Sequence, residues 1–274
     1  MLPGPPRECL SMFEICAVPY LKRLSGQCLV SRQVRTFGMG ESAVEDQLRD
    51  EMKTRQNPTV APYAKEGEVM LRVTARASNS AEAYALTEPV VEEIKQLLGD
   101  VVYGVDVDSL EVCVAGLLKR HGKTLALAES CTGGLLSKRI TDVPGASTFY
   151  KGGVCAYTEK AKAALLGVPE PLLRDYGAVS EPVARAMAEG ALSRLEADLA
   201  LGVTGLAGPG GDGSDNPVGT VFIALATKEG QTQCQKFLFG RDRERVRLMS
   251  SGHALDMLRR WLIREDHGGS RIDG

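Results

Sequence analysis

The chain has no apolar run approaching the roughly 18 residues needed to span a bilayer, so its sequence predicts no membrane-spanning segment. Its start, Met1-Leu2-Pro3-Gly4-Pro5-Pro6, lacks the basic region and apolar stretch of a secretory signal. With neither feature present, the cytoplasm is the expected compartment. Histidine is scarce. Only His121, His253 and His267 occur, none beside a loop expected at a functional sheet edge, which argues against a Ser-His-Asp triad and a three-histidine metal site. The seven cysteines, at 9, 16, 28, 113, 131, 155 and 234, include no Cys-x-x-Cys pair. They read as reduced thiols rather than as a zinc site or disulfide framework. An excess of one charge is missing too: 33 Lys and Arg stand against 35 Asp and Glu, a net charge of -2. Nucleic-acid binding would therefore need a local basic patch.

What is present is the balance of a globular protein, 43% hydrophobic and 25% charged over 274 residues, a length for which two domains are the prior. Residues 1–36 read as a fragment: a proline turn feeds an apolar helix, Cys9 to Leu24, with no visible partner. From Phe37 the pattern is orderly. Ser42 is a fair N-cap for a helix carrying Val44, Leu48 and Met52, stopped by Asn57-Pro58. Val69 to Ala75 alternates like a half-buried strand, and a second helix runs from about Ala81 to Leu98. This is a small α+β module, followed by a linker over 101–109.

From Leu110 strands and helices alternate. The helices expected are Leu110–His121, Gly133–Ile140, Glu159–Leu166, Ser180 to about Leu195, and Arg243–Leu262; the strands are Thr124–Ala128, Gly153–Tyr157, Asp198–Val203, and a hairpin of Val218–Thr227 with Thr232–Phe239. Such alternation implies a three-layer α/β sandwich, in which ligands bind beyond the carboxyl ends of the strands. The Ser130 turn and the glycine-rich loop 205–216 both leave strands at that edge.

Ser130 directly follows a buried strand and precedes Thr132-Gly133-Gly134 and a helix. At a helix N-terminus its hydroxyl has backbone amides nearby for an oxyanion hole or a phosphate cradle, although a plain N-cap serine has the same signature. A serine nucleophile needs a base, and lysine serves when desolvation lowers its pKa. Lys151, Lys160 and Lys162 are candidates, and spacing does not choose between them. The run Thr204 to Gly211 carries too many glycines for an ordinary connector and fits neither the P-loop nor the dinucleotide fingerprint. Arg241, Arg243, Arg245 and Arg247 cluster at the start of the last helix, where cations oppose the dipole and an anion would be welcome.

Ala128–Gly134, Val143–Ser147, Tyr157–Lys162, Gly177–Glu181, Thr204–Pro209 and Pro217–Val221 together resemble the CinA C-terminal domain, the PncC-type nicotinamide-nucleotide amidase, over about 108–264. Thr36–Ser42 and Asn57–Lys65 resemble the KH-type middle domain of CinA, over 37–104. Leu2–Glu8 resembles the end of its molybdopterin-binding-like N-terminal domain, leaving 1–36 as a remnant and 265–274 as a flexible tail. The resemblance implies deamidation of nicotinamide mononucleotide without metal or organic cofactor. Its motifs put the nucleophile on Ser130, the base on Lys162 and a supporting hydroxyl on Tyr157. Thr132, Gly133, Gly134, Thr204, Gly205, Gly208, Gly219 and Thr220 would then line the pocket, with Arg243 on the phosphate. The Cys131 thiol should point away from it. One departure is Arg241-Asp242-Arg243, where the family has Gly-Asp-Arg. The ADP-ribose pyrophosphatase activity of the N-terminal domain should be absent. The partner expected is thus a small nucleotide, with no membrane; a homodimer is compatible with the sequence, which does not fix oligomeric state. The rival reading is a non-catalytic competence or DNA-damage accessory that binds nucleic acid or a protein. Residues 40–60 hold no Gly-x-x-Gly clamp in its support.

Overall fold

The computed structural model describes residues 3–65, 67–240 and 242–266. The chain divides into two compact units, Met1–Asp106 and Val107–Gly274. No described helix is long and apolar enough to cross a membrane.

The first unit opens with α1 (Pro6–Met12), a π-helical turn over Phe13–Ala17 and α2 (Val18–Ser25). As the apolar pattern implied, these turns leave large side chains in solvent, with Leu10, Ile15 and Leu24 exposed by 61, 72 and 67%. There follow β1 (Cys28–Phe37), α3 (Glu41–Gln47), α4 (Arg49–Thr54), β2 (Thr59–Lys65), β3 (Glu68–Ala77), α5 (Ser80–Leu98) and β4 (Val102–Val105). The strands form one antiparallel sheet in the order β2-β3-β1-β4. Strand alternation puts Val34, Leu71 and Val73 on one face, where they meet Val90, Val91 and Ile94 of α5 in a closed core.

Three expectations change here. Residues 28–36, read as part of the fragment, are strand, and β1 pairs along its length with β3. Its charged residues disguised it: Arg32 pairs with Glu88 and Asp106 and stacks over Tyr84 at 4.4 Å, so a polar residue occupies a sheet position fully satisfied. The expected linker contains β4, which pairs with β1. Ser42 does not cap its helix; Gly40 holds that place, and the segment breaks at Leu48 into α3 and α4.

The second unit contains α6 (Leu110–His121), β5 (Leu125–Glu129), α7 (Leu135–Thr141), β6 (Tyr150–Cys155), α8 (Glu159–Leu166), α9 (Glu170–Tyr176), α10 (Glu181–Arg194), β7 (Leu199–Gly205), β8 (Thr220–Thr227), β9 (Thr232–Leu238) and α11 (Arg243–Asp266). The sheet order is β6-β5-β7-β8-β9, with β5 parallel to both neighbours and β8 and β9 antiparallel. α10 packs on one face and carries α8 and α9, while α6, α7 and α11 cover the other, giving the three layers expected. β5 is buried at all five residues, as a strand covered on both faces must be. Its Ala126 and Ala128 share a core with Val183 and Met187 of α10; truncating a buried methionine such as Met187 costs about 2–5 kcal/mol.

Because β5, β6 and β7 run in parallel, their carboxyl ends at Glu129, Cys155 and Gly205 share one edge. Ser130, Tyr157 and the loop after Gly205 all emerge there. α9 was not foreseen, and β6 starts at Tyr150, three residues before the strand expected. The last helix reaches Asp266; the rest of the anticipated tail, His267 included, lies outside the described residues.

Candidate active site

β5 ends at Glu129, and Ser130 is held at the strand edge by its own amide, which donates to the Val203 carbonyl of β7 at 3.0 Å. Ser130 is 7% exposed. The helix that was to present its amides to the serine begins only at Leu135. Its amides are taken: Gly134 and Leu136 donate to Glu129 Oε2, each at 3.0 Å, and Ser137 donates to Oε1 at 2.8 Å. The expected oxyanion hole or phosphate cradle at this helix end is thereby filled by a carboxylate of the chain itself.

The candidate base is built from the next strand. β6 runs out at Cys155, beside Glu129, and Ala156 donates its amide to the Glu129 carbonyl at 2.8 Å. Thr158 then caps α8, accepting from the Ala161 amide. Lys162 lies in the first full turn, and helical side chains lean toward the N-terminus, which directs this one back to the strand ends. Its Nζ donates to Ser130 Oγ at 2.8 Å and to the Ala156 carbonyl at 3.1 Å. The side chain is 1% exposed. Burial pushes its ammonium below the ordinary lysine value, opposed by the nearby charge of Glu159. Lys151 and Lys160 are exposed instead. The structure therefore separates candidates that spacing left level.

A cavity of about 220 Å³ opens above this pair. Of the residues the resemblance named, Tyr157, Thr204, Gly205, Gly208 and Arg243 line it. Thr204 Oγ1 donates to the Ala178 carbonyl at 2.8 Å, and this fixes the end of β7. Arg243 donates to the Gly208 carbonyl at 2.9 Å and to Tyr157 Oη at 2.8 Å, so it bridges two walls. Cys131 is also among the residues that line the cavity. Burial pushes its thiol up to about 12, so it stays protonated at neutral pH.

Five residues expected in the lining lie outside it. Thr132 is fully buried, and its carbonyl accepts from Nε and Nη2 of Arg247. Gly133 sits beneath that guanidinium, and the Gly134 amide is spent on Glu129. Gly219 supports the loop from below: a side chain there would fall 2.0 Å from the Phe239 carbonyl. Thr220 is fully buried in β8. These residues shape the backbone that frames the cavity and do not face it.

The arginine cluster also divides. Arg247 holds the Ser130 turn through Thr132, and of the described members of the set Arg243 alone lines the cavity. Asp242 caps α11 through the Arg245 amide, and Arg241, with the departure noted there, lies outside the described residues. His253 packs on Phe237 at 4.6 Å, away from the cavity lining.

Two residues were missed. Glu129 is a carboxylate closing a buried apolar strand, a position where an ionisable group is costly and hence informative. Asp212 lines the cavity from the glycine-rich loop. Ser214 hydrogen-bonds its carboxylate and holds it below the usual carboxylate range.

Comparison with known proteins follows the same division. The CinA C-terminal domain model matches residues 107–262, and the model for the damage-inducible protein CinA KH domain matches 31–104, taking in most of β1. A CinA-like protein of Desulfovibrio desulfuricans is 50% identical over 95% of this chain and 61% of its own length. A putative competence-damage inducible protein of Symbiobacterium thermophilum is 49% identical over 96% of this chain and 64% of its own. The chain thus spans less than two thirds of these relatives. Among solved structures, a competence-damaged protein (CinA) superfamily protein from Klebsiella pneumoniae is 34% identical with a TM-score of 0.55, covering 57% of this chain and 96% of that one. A competence/damage inducible protein from Agrobacterium tumefaciens is 37% identical with a TM-score of 0.54, over 56% of this chain and 93% of that one. With one family model on each unit and solved relatives matching more than half of its length, this chain belongs to the CinA family.

Proposed function

We propose that this chain hydrolyses the carboxamide of nicotinamide mononucleotide, releasing ammonia and nicotinate mononucleotide, with Ser130 as nucleophile and Lys162 as general base. The observation that carries the reading is the buried 2.8 Å hydrogen bond between them. Burial lowers the pKa of this lysine and so raises the share of its neutral form. A neutral amine keeps an N–H for the Ala156 carbonyl and turns its lone pair to the Ser130 hydroxyl.

The chemistry then needs no further group. Lys162 takes the Ser130 proton as Oγ attacks the carboxamide carbon. The tetrahedral adduct collapses when the C–N bond breaks, and the proton on Lys162 leaves with the amine as ammonia. Water then attacks the acyl ester, giving its proton to the same amine, and Ser130 is released with the carboxylic acid. Net, one water is consumed and one amide becomes one acid and one ammonia.

Two charges support the substrate class. Asp212 and Arg243 line the same cavity, and nicotinamide mononucleotide is a zwitterion, with a cationic pyridinium ring and an anionic phosphate. Arg243 suits the phosphate and Asp212 the ring or ribose. Tyr157, bonded to Arg243, steadies that guanidinium as the supporting hydroxyl. The test is ammonia release from nicotinamide mononucleotide by the purified chain, beside Ser130→Ala. The rival accessory reading predicts no release from either, and a salt-dependent shift of single-stranded DNA.

A further inference from the structure

Glu129 is 1% exposed, and no ion pair is made with it among the described residues. A buried carboxylate without a cation is expensive unless each oxygen is fully hydrogen-bonded, and here four donors converge on it. Oε2 accepts from the Gly134 and Leu136 amides, each at 3.0 Å; Oε1 accepts from the Ser137 amide at 2.8 Å and the Ser137 hydroxyl at 2.5 Å. Tyr150 Oη in turn donates to Ser137 Oγ at 2.8 Å. Strand alternation places Glu129 on the face of Leu125 and Leu127, which looks toward α7. The same residue is anchored through its carbonyl to Ala156 of the neighbouring segment.

A second feature shows that room is kept for this network. A Cβ on Gly153 of β6 would lie 2.5 Å from both Ser137 Oγ and Tyr150 Oη. Any side chain at 153 evicts the pair, so the strand beside the nucleophile is shaped around a hydrogen-bonded relay that never touches the cavity.

We infer that Glu129 is a positioning residue for the nucleophile: with Ser137 and Tyr150 it fixes the five-residue turn that carries Ser130 against Lys162. This rests on the amidase reading of the same site. The carboxylate is needed because both oxygens must accept. In Glu129→Gln, an isosteric change, one of them becomes an NH2 that faces donors, the Gly134 and Leu136 amides at the Oε2 position or the Ser137 amide and hydroxyl at Oε1, and the turn must shift. Misplacement of a reacting atom by about 1 Å costs on the order of a hundredfold in rate.

The test separates placement from folding by using a serine-directed fluorophosphonate probe, followed by intact mass. The rate of labelling reads the competence of Ser130, and the endpoint reads the fraction of chain correctly folded. Wild type should label fully at Ser130. Glu129→Gln should reach the same endpoint at least about tenfold more slowly, and Tyr150→Phe a few-fold more slowly. The pH midpoint of labelling, set by Lys162, should not move in either. Equal rates in wild type and Glu129→Gln overturn the inference, as does a lowered endpoint at an unchanged rate, which marks a purely structural role. If Glu129→Gln does not fold, Tyr150→Phe and Ser137→Ala carry the same comparison, and wild-type rates in both overturn it. A wild-type chain left unmodified at Ser130 overturns the amidase reading instead.

Discussion

Lys162 Nζ and Ser130 Oγ, 32 residues apart in the chain, meet at 2.8 Å where both side chains are almost wholly removed from solvent. The contact joins the ends of two parallel strands: Ser130 follows β5, and Lys162 lies in the first turn after β6. The desolvation that lowers the lysine pKa also makes the residue a burden on the fold, and both effects can be measured.

Lys162→Ala should lower turnover by roughly a hundred- to ten-thousand-fold, the usual worth of a general base, with little change in KM. Lys160→Ala should do little to either, because two residues on a helix point about 200° apart and Lys160 is exposed. Steady-state kinetics on nicotinamide mononucleotide checks both. The wild-type pH–rate profile should rise through an apparent pKa below the ordinary lysine value, since the proposed base acts as the neutral amine and burial lowers its pKa.

The same burial has a signature in stability. Below its native pKa, Lys162 is charged in both folded and unfolded chains, and the folded state carries the desolvation cost in full. Between that pKa and the ordinary lysine value of 10.5, the unfolded chain binds more protons, so the cost fades as pH rises. Lys162→Met should therefore raise the melting temperature at pH 7, by about 2–4 °C for each kcal/mol relieved, and the margin should shrink toward pH 10. Thermal melts at the two pH values decide it; an equal margin at both would mean that Lys162 carries no desolvation cost tied to its charge.

Arg243→Ala should raise KM for nicotinamide mononucleotide roughly tenfold or more, the worth of a charge-assisted bond to phosphate. The effect should vanish with nicotinamide riboside, which has no phosphate. Asp212→Asn should weaken both substrates alike, because the pyridinium and ribose are common to them. A phosphate-independent loss in Arg243→Ala would return that residue to a purely structural role through Gly208 and Tyr157.

Cys131→Ser should keep most activity. Its thiol, pushed up to about 12 by burial, is not a nucleophile at neutral pH, and treatment of the wild type with iodoacetamide should leave Cys131 unmodified by peptide mass. Alkylation at Cys131 with parallel loss of activity would contradict this.

Much of the second unit was legible because its punctuation is local. Helices 110–121 and 159–166 were read to the residue, each closed by a capping Ser109 or Thr158 and by Gly122 or Gly167. β1 was not legible, since Arg32 makes sense in the sheet only once Glu88, Asp106 and Tyr84 are brought to it from far along the chain. At the site, motif residues marked where the backbone is constrained without saying which way a side chain faces. That is why Thr204 and Gly208 line the cavity while Thr132, Gly219 and Thr220 stand behind it. Spacing alone left Lys160 level with Lys162. What separates them is tertiary: the turn of α8 aims one at Ser130 and the other at water. Glu129 was overlooked because its partners are amides within the next eight residues, the very amides the sequence offered to a ligand.

The central claim is most directly tested by ammonia released from nicotinamide mononucleotide, measured for the purified chain and for Ser130→Ala at equal concentration. A Ser130–Lys162 amidase predicts steady release by the wild type, with nicotinate mononucleotide formed in equal amount, and no release above background by Ser130→Ala folded to the same melting temperature. Release by Ser130→Ala at the wild-type rate, or none from the wild type, would contradict it.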